Sequence, residues 1–294
     1  MVRQKGVAHA QSVADLEPVG AVTRGSDLRF AILTVGALLL THAIAFFLHE
    51  YSHSVIAWLL GFKSNPLDLH YGHLDLSNLL LQQDIDENVD YKPVFDGGNG
   101  YAVAAIALAG AAMGNGVLYV ALTLILKRRV SRMRPAGALF LFWLALMACA
   151  NLWSYAPVRT ITTHGDMEDA AQGLGISVWT LFPFVALPSV WAAWDFFSRL
   201  TPVVLDQVYS SDVLHRWYVT TVACFIFFGF YGGCPAVAGN YGNISAVFSI
   251  ASLFVLFPIV LMMMLSLIRV RRTSAAAGAP RNVSTQAPTI SPLR

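Results

Sequence analysis

The sequence predicts an all-α polytopic membrane protein with about six transmembrane helices and disordered N- and C-terminal tails. Of its 294 residues, 56% are hydrophobic and only 12% are charged, and the mean hydropathy is +0.58. Soluble domains usually carry a charge on about a quarter of their residues. The composition therefore indicates that lipid, rather than water, surrounds most of the chain.

Six apolar stretches are long enough to be membrane spans, because about 20 helical residues cross the hydrocarbon core. The first stretch is too long for one simple crossing, so we expect it to tilt, to extend past the membrane, or to break at Gly36 or at the polar residues 49–53. Residues 29–272 then form a single transmembrane domain between polar tails at 1–28 and 273–294. The six stretches are 30–61, 99–126, 137–157, 175–196, 214–234 and 244–268.

The distribution of basic residues predicts the orientation of these spans. If both termini are cytoplasmic, all but three of the 19 Lys and Arg residues fall in cytoplasmic segments, and the exceptions are Lys63, Lys92 and Arg159. The positive-inside rule favours this arrangement. The acidic loop 63–98 then faces the extracytoplasmic side, and its alternating segment 67–76 is expected to form a small hairpin. The lipid bilayer is the expected partner, and no nucleic-acid partner is expected.

The first span carries a motif with known chemistry, His49-Glu50-Tyr51-Ser52-His53. Helix positions i and i+4 share a face, so the two imidazoles can bind one zinc ion, while Glu50 can take a proton from water on the metal. Ionisable groups inside an apolar helix each cost about 2.5–3.5 kcal/mol by insertion scales and indicate a functional site by default. The alternative interpretation is a pair of structural histidines beside a buried carboxylate.

A catalytic zinc ion usually has three protein ligands and one open position. Asp166 and His164 follow the third span, and both are chemically suitable as the third ligand. The predicted orientation places them on the same side as the end of the first span. His70 and His73 lie on that side as well and are weaker candidates for extra ligands or proton carriers. Asp195, near the end of the fourth span, is expected at the membrane interface.

Taken together, these motifs resemble those of the site-2 protease family of intramembrane zinc metalloproteases, of which the chain would be a divergent member. The first feature that carries the resemblance is the membrane-embedded motif of the first span. The second is Ala109-Gly110-Ala111-Ala112-Met113-Gly114-Asn115, where the family tends to have Gly-Pro-x-x-Asn. The third is the segment from Asn151 to Asp166, where the family has an Asn and a Pro before a ligand Asp.

The resemblance covers roughly residues 40–170, the expected catalytic core, and spans four to six carry no matching motif. The chain departs from the family pattern at Ala111, which replaces a proline, and at Gly165, which precedes the aspartate instead of following it. The spacing of Gly110 and Gly114 is also typical of close helix packing.

The resemblance implies one Zn²⁺ per chain, held by His49, His53 and Asp166, with His164 as the alternative third ligand. It implies that Glu50 is the general base and that Asn151 hydrogen-bonds the substrate backbone or the oxyanion. The implied activity is hydrolysis of peptide bonds in transmembrane or membrane-proximal protein substrates, with the active site toward the extracytoplasmic side.

Three alternatives compete with this hypothesis. A zinc-dependent membrane hydrolase of a lipid or small amide would have the same metal site. A non-catalytic metal-binding or transport protein would be expected to spread polar ligands over several spans. An inactive relative that binds partner helices is disfavoured by the intact Glu50. In the protease hypothesis, Gly97, Gly98 and Gly100 are candidates for an edge where an extended peptide pairs.

Overall fold

The computed structural model describes residues 24–278, except for residue 83 and residues 234–240. This part of the chain contains no β-strand, and it has six helices that are long and apolar enough to cross a membrane. The predicted fold class is thus confirmed. The six spans, numbered in chain order, are Leu28–Leu59, Gly100–Arg132, Pro135–Val158, Val178–Val208, Val213–Tyr231 and Asn243–Arg269.

Most spans combine α-helix with short π-helical segments. The α-helices are α1 (Arg24–Leu59), α2 (Leu76–Leu81), α3 (Tyr91–Asp96), α4 (Gly100–Ala109), α5 (Leu118–Arg129), α6 (Pro135–Trp153), α7 (Asp166–Leu174), α8 (Val178–Asp195), α9 (Thr201–Val208), α10 (Val213–Cys224), α11 (Asn243–Ala251) and α12 (Phe257–Gly278). The π-helical segments are Gly110–Val117, Ser154–Val158, Phe196–Leu200, Phe225–Tyr231 and Ser252–Leu256, and a 3₁₀ turn covers Val130–Arg132. Such π-helical turns are frequent at functional sites.

Helix α1 is unbroken over 36 residues, roughly 54 Å at 1.5 Å per residue. It therefore breaks neither at Gly36 nor at the polar motif, which leaves tilting or extension past the membrane as the ways to accommodate its length. The helix begins at Arg24, and α12 continues to Gly278, so the helical region is longer at both ends than predicted. A helix satisfies its own backbone hydrogen bonds and can continue from lipid into water. The rest of both predicted tails lies outside the described residues.

The third span lies at the centre of the bundle. In its most apolar stretch 61% of the residues are buried, against 22% in the first span and 11% in the sixth. Phe142 of the third span stacks on Phe196 of the fourth, with ring centres 5.1 Å apart, and the same core includes Leu126 and Phe227 of the second and fifth spans. The end of this central span, around Asn151, is consequently held firmly next to the first two spans.

The loop between the first two spans does not form the hairpin predicted for residues 67–76. His70 instead forms an antiparallel bridge with Asp86, through backbone hydrogen bonds of 3.0 and 3.1 Å. Helix α2 lies between the bridged residues, and the carbonyl of Leu81 at its end lies 3.4 Å from Nε2 of His42 in α1. The prediction was wrong because the pairing partner lies beyond an intervening helix, which an alternating pattern does not reveal.

Asp195 lies inside the helix bundle. The fourth span continues past it to Val208, and its carboxylate is buried, with 2% of its surface exposed. Its position at the membrane interface stays a prediction. Lys127 donates to both carboxylate oxygens at 2.7 and 2.9 Å, and the Tyr119 hydroxyl donates to Oδ2 at 3.0 Å. The second and fourth spans are thereby joined by a charge-balanced group.

Candidate metal centre

Helix α1 places the imidazoles of His49 and His53 side by side against the second span. Each side chain is 1% exposed, and their Nε2 atoms lie 3.1 Å apart. The i, i+4 spacing on a regular helix produces this juxtaposition directly. Glu50 lies between them in the same helix and is 5% exposed, so all three ionisable groups of the motif are buried.

Two glycines of the second span make space for these imidazoles. A Cβ atom on Gly110 would overlap Nε2 of His53 and lie 2.6 Å from Nε2 of His49. A Cβ on Gly114 would lie 2.6 Å from the Cα of His49. The close helix packing anticipated from their spacing therefore occurs at the histidine pair itself, inside a π-helical segment.

Helix α7 brings Asp166 to the same point. Its Oδ2 atom lies 3.4 Å from Nε2 of His49 and 3.5 Å from Nε2 of His53. Asp166 is the first residue of α7, where the helix dipole favours a negative charge. Gly165 before it has a φ of +84°, in the left-handed region that favours glycine.

The position of α7 depends on a backbone contact with α4. A Cβ atom on Gly173 would overlap the carbonyl oxygen of Gly100, and a Cβ on Gly100 would overlap that of Gly173. Gly100, considered above as part of a peptide-pairing edge, thus lies at a helix–helix contact. Gly98, with a φ of +72°, belongs to the turn before α4.

The three converging atoms fit a transition-metal ion. A tetrahedral ion with bonds of about 2.0–2.1 Å separates its ligand atoms by about 3.3 Å. The observed separations of 3.1, 3.4 and 3.5 Å among the atoms of His49, His53 and Asp166 are close to this value. Two imidazoles and one carboxylate are also a donor set that suits zinc better than magnesium or calcium.

The far nitrogens of both histidines have polar partners. Nδ1 of His53 donates to the carbonyl of Ile106 at 2.6 Å, which leaves a lone pair on Nε2 for a metal. Nδ1 of His49 lies 2.7 Å from Nδ2 of Asn115. The oxygen and nitrogen of an amide exchange places by a half rotation. With the amides of Asn115 and Asn151 both turned in this way, Asn115 accepts the Nδ1 proton of His49, donates to Oδ1 of Asn151, and leaves Nε2 of His49 free to coordinate.

Three carboxyl groups, those of Glu50, Asp166 and Asp169, lie at or near the two histidines. Burial alone would raise the pKa of the Asp166 carboxyl, but His53 and His49 outweigh burial and hold this pKa below its usual range. Burial, together with the charge of Asp166, raises the pKa of Asp169 to about 6. In the described part of the chain, no Lys or Arg nitrogen lies within 4.0 Å of Asp166 or Glu50. A divalent cation would balance these carboxyl groups.

The other predicted residues lie outside the ligand group. His164 is exposed and stacks on Tyr241, with ring centres 4.8 Å apart, so the structure brings Asp166 rather than His164 to the two histidines. His70 is in the loop bridge, and its Nδ1 lies 3.1 Å from a carboxylate oxygen of Asp86. Asn151 is buried, and its Nδ2 donates to Oδ1 of Asn115 at 3.4 Å. It therefore contacts the site through Asn115.

Sequence reasoning missed two residues beside the site. The ring of Tyr155 lies 4.3 Å, centre to centre, from the ring of His49, and Cζ of Arg159 lies 3.9 Å from the centre of the Tyr155 ring. Tyr155 and Arg159 follow Asn151 at successive four-residue intervals. Residues four apart share a helix face, so continuing the helix of Asn151 to Tyr155 and Arg159 would have identified both as neighbours of the site.

Comparison with protein-family models, with characterised proteins and with solved structures gives no match to this chain.

Proposed function

We propose that this protein is an intramembrane zinc metalloprotease, a divergent relative of the site-2 proteases. The observation that carries the proposal is the convergence of Nε2 of His49, Nε2 of His53 and Oδ2 of Asp166, with Glu50 in the same helix. Three nitrogen or oxygen ligands that leave one position open are typical of catalytic rather than structural zinc. The two histidines and the glutamate have the spacing of zinc peptidases.

Each polar group has a role in this proposal. His49, His53 and Asp166 hold the ion, which when bound supplies a Lewis acid that activates water and polarises a peptide carbonyl. Glu50 takes a proton from the attacking water and passes it to the leaving amine. Asn115 orients His49, as the Ile106 carbonyl orients His53. The contact between Asn151 and the substrate stays a prediction.

The location of the residues supports a membrane-associated protein substrate. His53 and His49 lie about 9 and 15 Å before the end of α1, at 1.5 Å per residue. The distribution of Lys and Arg favours an extracytoplasmic position for this end and cytoplasmic termini. A substrate helix must unwind locally before its peptide groups can react, because they are otherwise hydrogen-bonded within the helix. Transmembrane or membrane-proximal segments are therefore the proposed substrates.

Metal content is the first test. Zinc per chain is measured by elemental analysis on detergent-purified wild type and on His49→Ala, Glu50→Gln, His164→Ala and Asp166→Ala. We expect one zinc in wild type, Glu50→Gln and His164→Ala, and loss of zinc from the other two. A wild-type protein without zinc or another divalent metal would contradict the metal centre. In that case a proton on one of the imidazoles would supply the positive charge beside Asp166. Loss in His164→Ala would move the third ligand to that residue.

Activity separates the protease from its main alternative. Wild type and Glu50→Gln are reconstituted with single-span model substrates, and products are identified by mass spectrometry. Cleavage of peptide bonds by wild type, but not by the zinc-containing Glu50→Gln variant, is the expected result. Glu50-dependent release of fatty acids from the vesicle lipids, without peptide cleavage, would favour the lipid hydrolase.

A further inference from the structure

A cationic side chain lies next to the ligand group without belonging to it. Cζ of Arg159 is 3.9 Å from the centre of the Tyr155 ring, and the centre of the same ring lies 4.3 Å from that of the His49 ring. One aromatic ring thus links the guanidinium to a proposed ligand. Arg159 follows the last residue of the third span and precedes Asp166 on the same side of the bundle.

Neutral groups hold this guanidinium in place. Nε donates to the carbonyl of Ser154 at 3.3 Å, and Nη1 donates to the hydroxyl of Tyr241 at 3.1 Å. The Tyr241 ring lies 5.2 Å from Cζ and provides a second aromatic contact. Burial lowers the pKa of Arg159, but Tyr155, Tyr241 and the charge of Asp166 together more than offset burial, so the net shift is upward and the charge is retained.

The charge of Arg159 is not neutralised by a neighbouring carboxylate. Among the described residues, no Asp or Glu oxygen lies within 4.0 Å of its nitrogens, whereas Lys127 pairs with Asp195 and Arg216 with Asp206. Arg has five N–H donors, and the two protein contacts above leave others available. The side chain is half-buried, so a ligand can reach it and solvent screens it only partly.

We propose that Arg159 binds a carboxylate of the peptide substrate. The proposal rests on the proposed peptide hydrolysis and deepens it by naming a substrate class: peptides with a negative group near the cleaved bond. An extended peptide advances about 3.3 Å per residue, so the contacts through Tyr155 place this group within about three residues of the reacting carbonyl. The carboxylate is an Asp or Glu side chain or the free C-terminus, and a bidentate guanidinium recognises both.

The test measures binding, without catalysis, in the Glu50→Gln background. Three fluorescent peptides share one apolar sequence: an uncharged peptide with an amidated C-terminus, the same peptide with one Glu, and the uncharged peptide with a free C-terminus. Anisotropy gives Kd for Glu50→Gln alone and combined with Arg159→Gln, Arg159→Lys or Lys92→Gln. Lys92, an exposed cation of the loop that follows the first span, controls for general electrostatic attraction. Zinc content is measured for every variant.

We expect one or both charged peptides to bind about tenfold more tightly than the uncharged one. Arg159→Gln should remove this preference without changing Kd for the uncharged peptide or the zinc content. Arg159→Lys should restore part of it, because an ammonium has the charge without the planar fork, and Lys92→Gln should leave it intact. The peptide that shows the preference identifies the source of the carboxylate.

Two results would overturn the proposal: equal binding of all three peptides, or an Arg159→Gln variant that weakens all three equally or loses zinc. Either would assign Arg159 a structural role in stacking Tyr155 and Tyr241. Absence of zinc or of peptide cleavage in wild type would instead defeat the proposed function, a separate result.

Discussion

Two groups of ionisable side chains are buried near opposite ends of the helix bundle, and they differ in how their charges are balanced. At one end, Asp195 receives hydrogen bonds from Lys127 at 2.7 and 2.9 Å and from the hydroxyl of Tyr119. At the other end, Asp166 has two imidazoles at 3.4 and 3.5 Å, and their Nε2 atoms face each other as well.

The first group contains its own counter-charge, whereas the second directs acceptors toward a common point. A buried ion pair needs nothing further from outside the protein and serves to join two spans. Converging nitrogen and oxygen lone pairs, with no Lys or Arg nitrogen within 4.0 Å of Asp166, need a positive charge at the point of convergence, and a metal ion held by the three atoms would supply it. Both groups are recognised because they bury ionisable side chains. The partners of each carboxylate, a lysine for Asp195 and two imidazoles for Asp166, distinguish the structural ion pair from the candidate metal centre.

The largest effect predicted from this comparison is on metal content. Asp166→Asn keeps the shape of the side chain but removes its negative charge, and we expect zinc to be lost and peptide cleavage with it. Asp195→Asn is the matched variant at the closed ion pair and should retain one zinc per chain. Elemental analysis of both purified proteins decides the matter. Equal zinc in both would show that Asp166 is no ligand.

A glycine at the ligand group should have the next largest effect. Gly110→Ala introduces a methyl group where Nε2 of His53 lies, so the imidazoles must shift, and we expect about 100-fold weaker zinc binding. Gly137→Ala is the control, because a Cβ there meets no atom within 4 Å. Competition against a chromophoric chelator measures both affinities. Unchanged affinity in Gly110→Ala would contradict the close approach of the second span to the histidines.

The fold was largely predictable because membrane spans are encoded locally. Length and hydropathy located all six helices, since each must satisfy its backbone in lipid by itself. Local patterns failed where distant segments decide the outcome. Within the strand-like residues 67–76, His70 pairs with Asp86, which lies beyond α2. The Asp195 carboxylate pairs with Lys127 of another span, a contact that the sequence of the fourth span does not reveal.

The candidate site was predictable only where its residues lie in one helix. His49 and His53 share a helix, so their spacing alone predicts that the imidazoles meet, as the structure shows. The chemistry of Asp166 made it a candidate, but its arrival at the histidines depends on the contact between Gly100 and Gly173, two glycines that no motif connects. Arg159 was counted only as a charge for orientation, because its contacts with aromatic rings arise from tertiary structure.

The partner of His49 provides a finer test of the metal centre. Asn115→Leu removes the acceptor for the Nδ1 proton, and we expect about 10–100-fold weaker zinc binding. Asn115→Asp provides an acceptor whichever way the side chain turns, and affinity should stay within about tenfold of wild type. Chelator competition on both variants, with circular dichroism to verify folding, is the measurement. Equal losses in both would indicate that Asn115 only fills space.

The smallest effect on the metal centre is expected from the closed ion pair, where the consequence is for stability alone. Lys127→Met leaves the Asp195 carboxylate, 2% exposed, with only the exposed Arg199 guanidinium at 4.0 Å as a counter-charge, and we expect a loss of about 3 kcal/mol of unfolding free energy. Adding Asp195→Asn to Lys127→Met should recover much of this loss, because no buried charge remains. Reversible unfolding in mixed detergent micelles measures both variants, and zinc content should stay at one per chain throughout. Loss of zinc in Lys127→Met would show that the two groups are coupled along the second span, which carries both Gly110 and Lys127, and would remove the distinction between them.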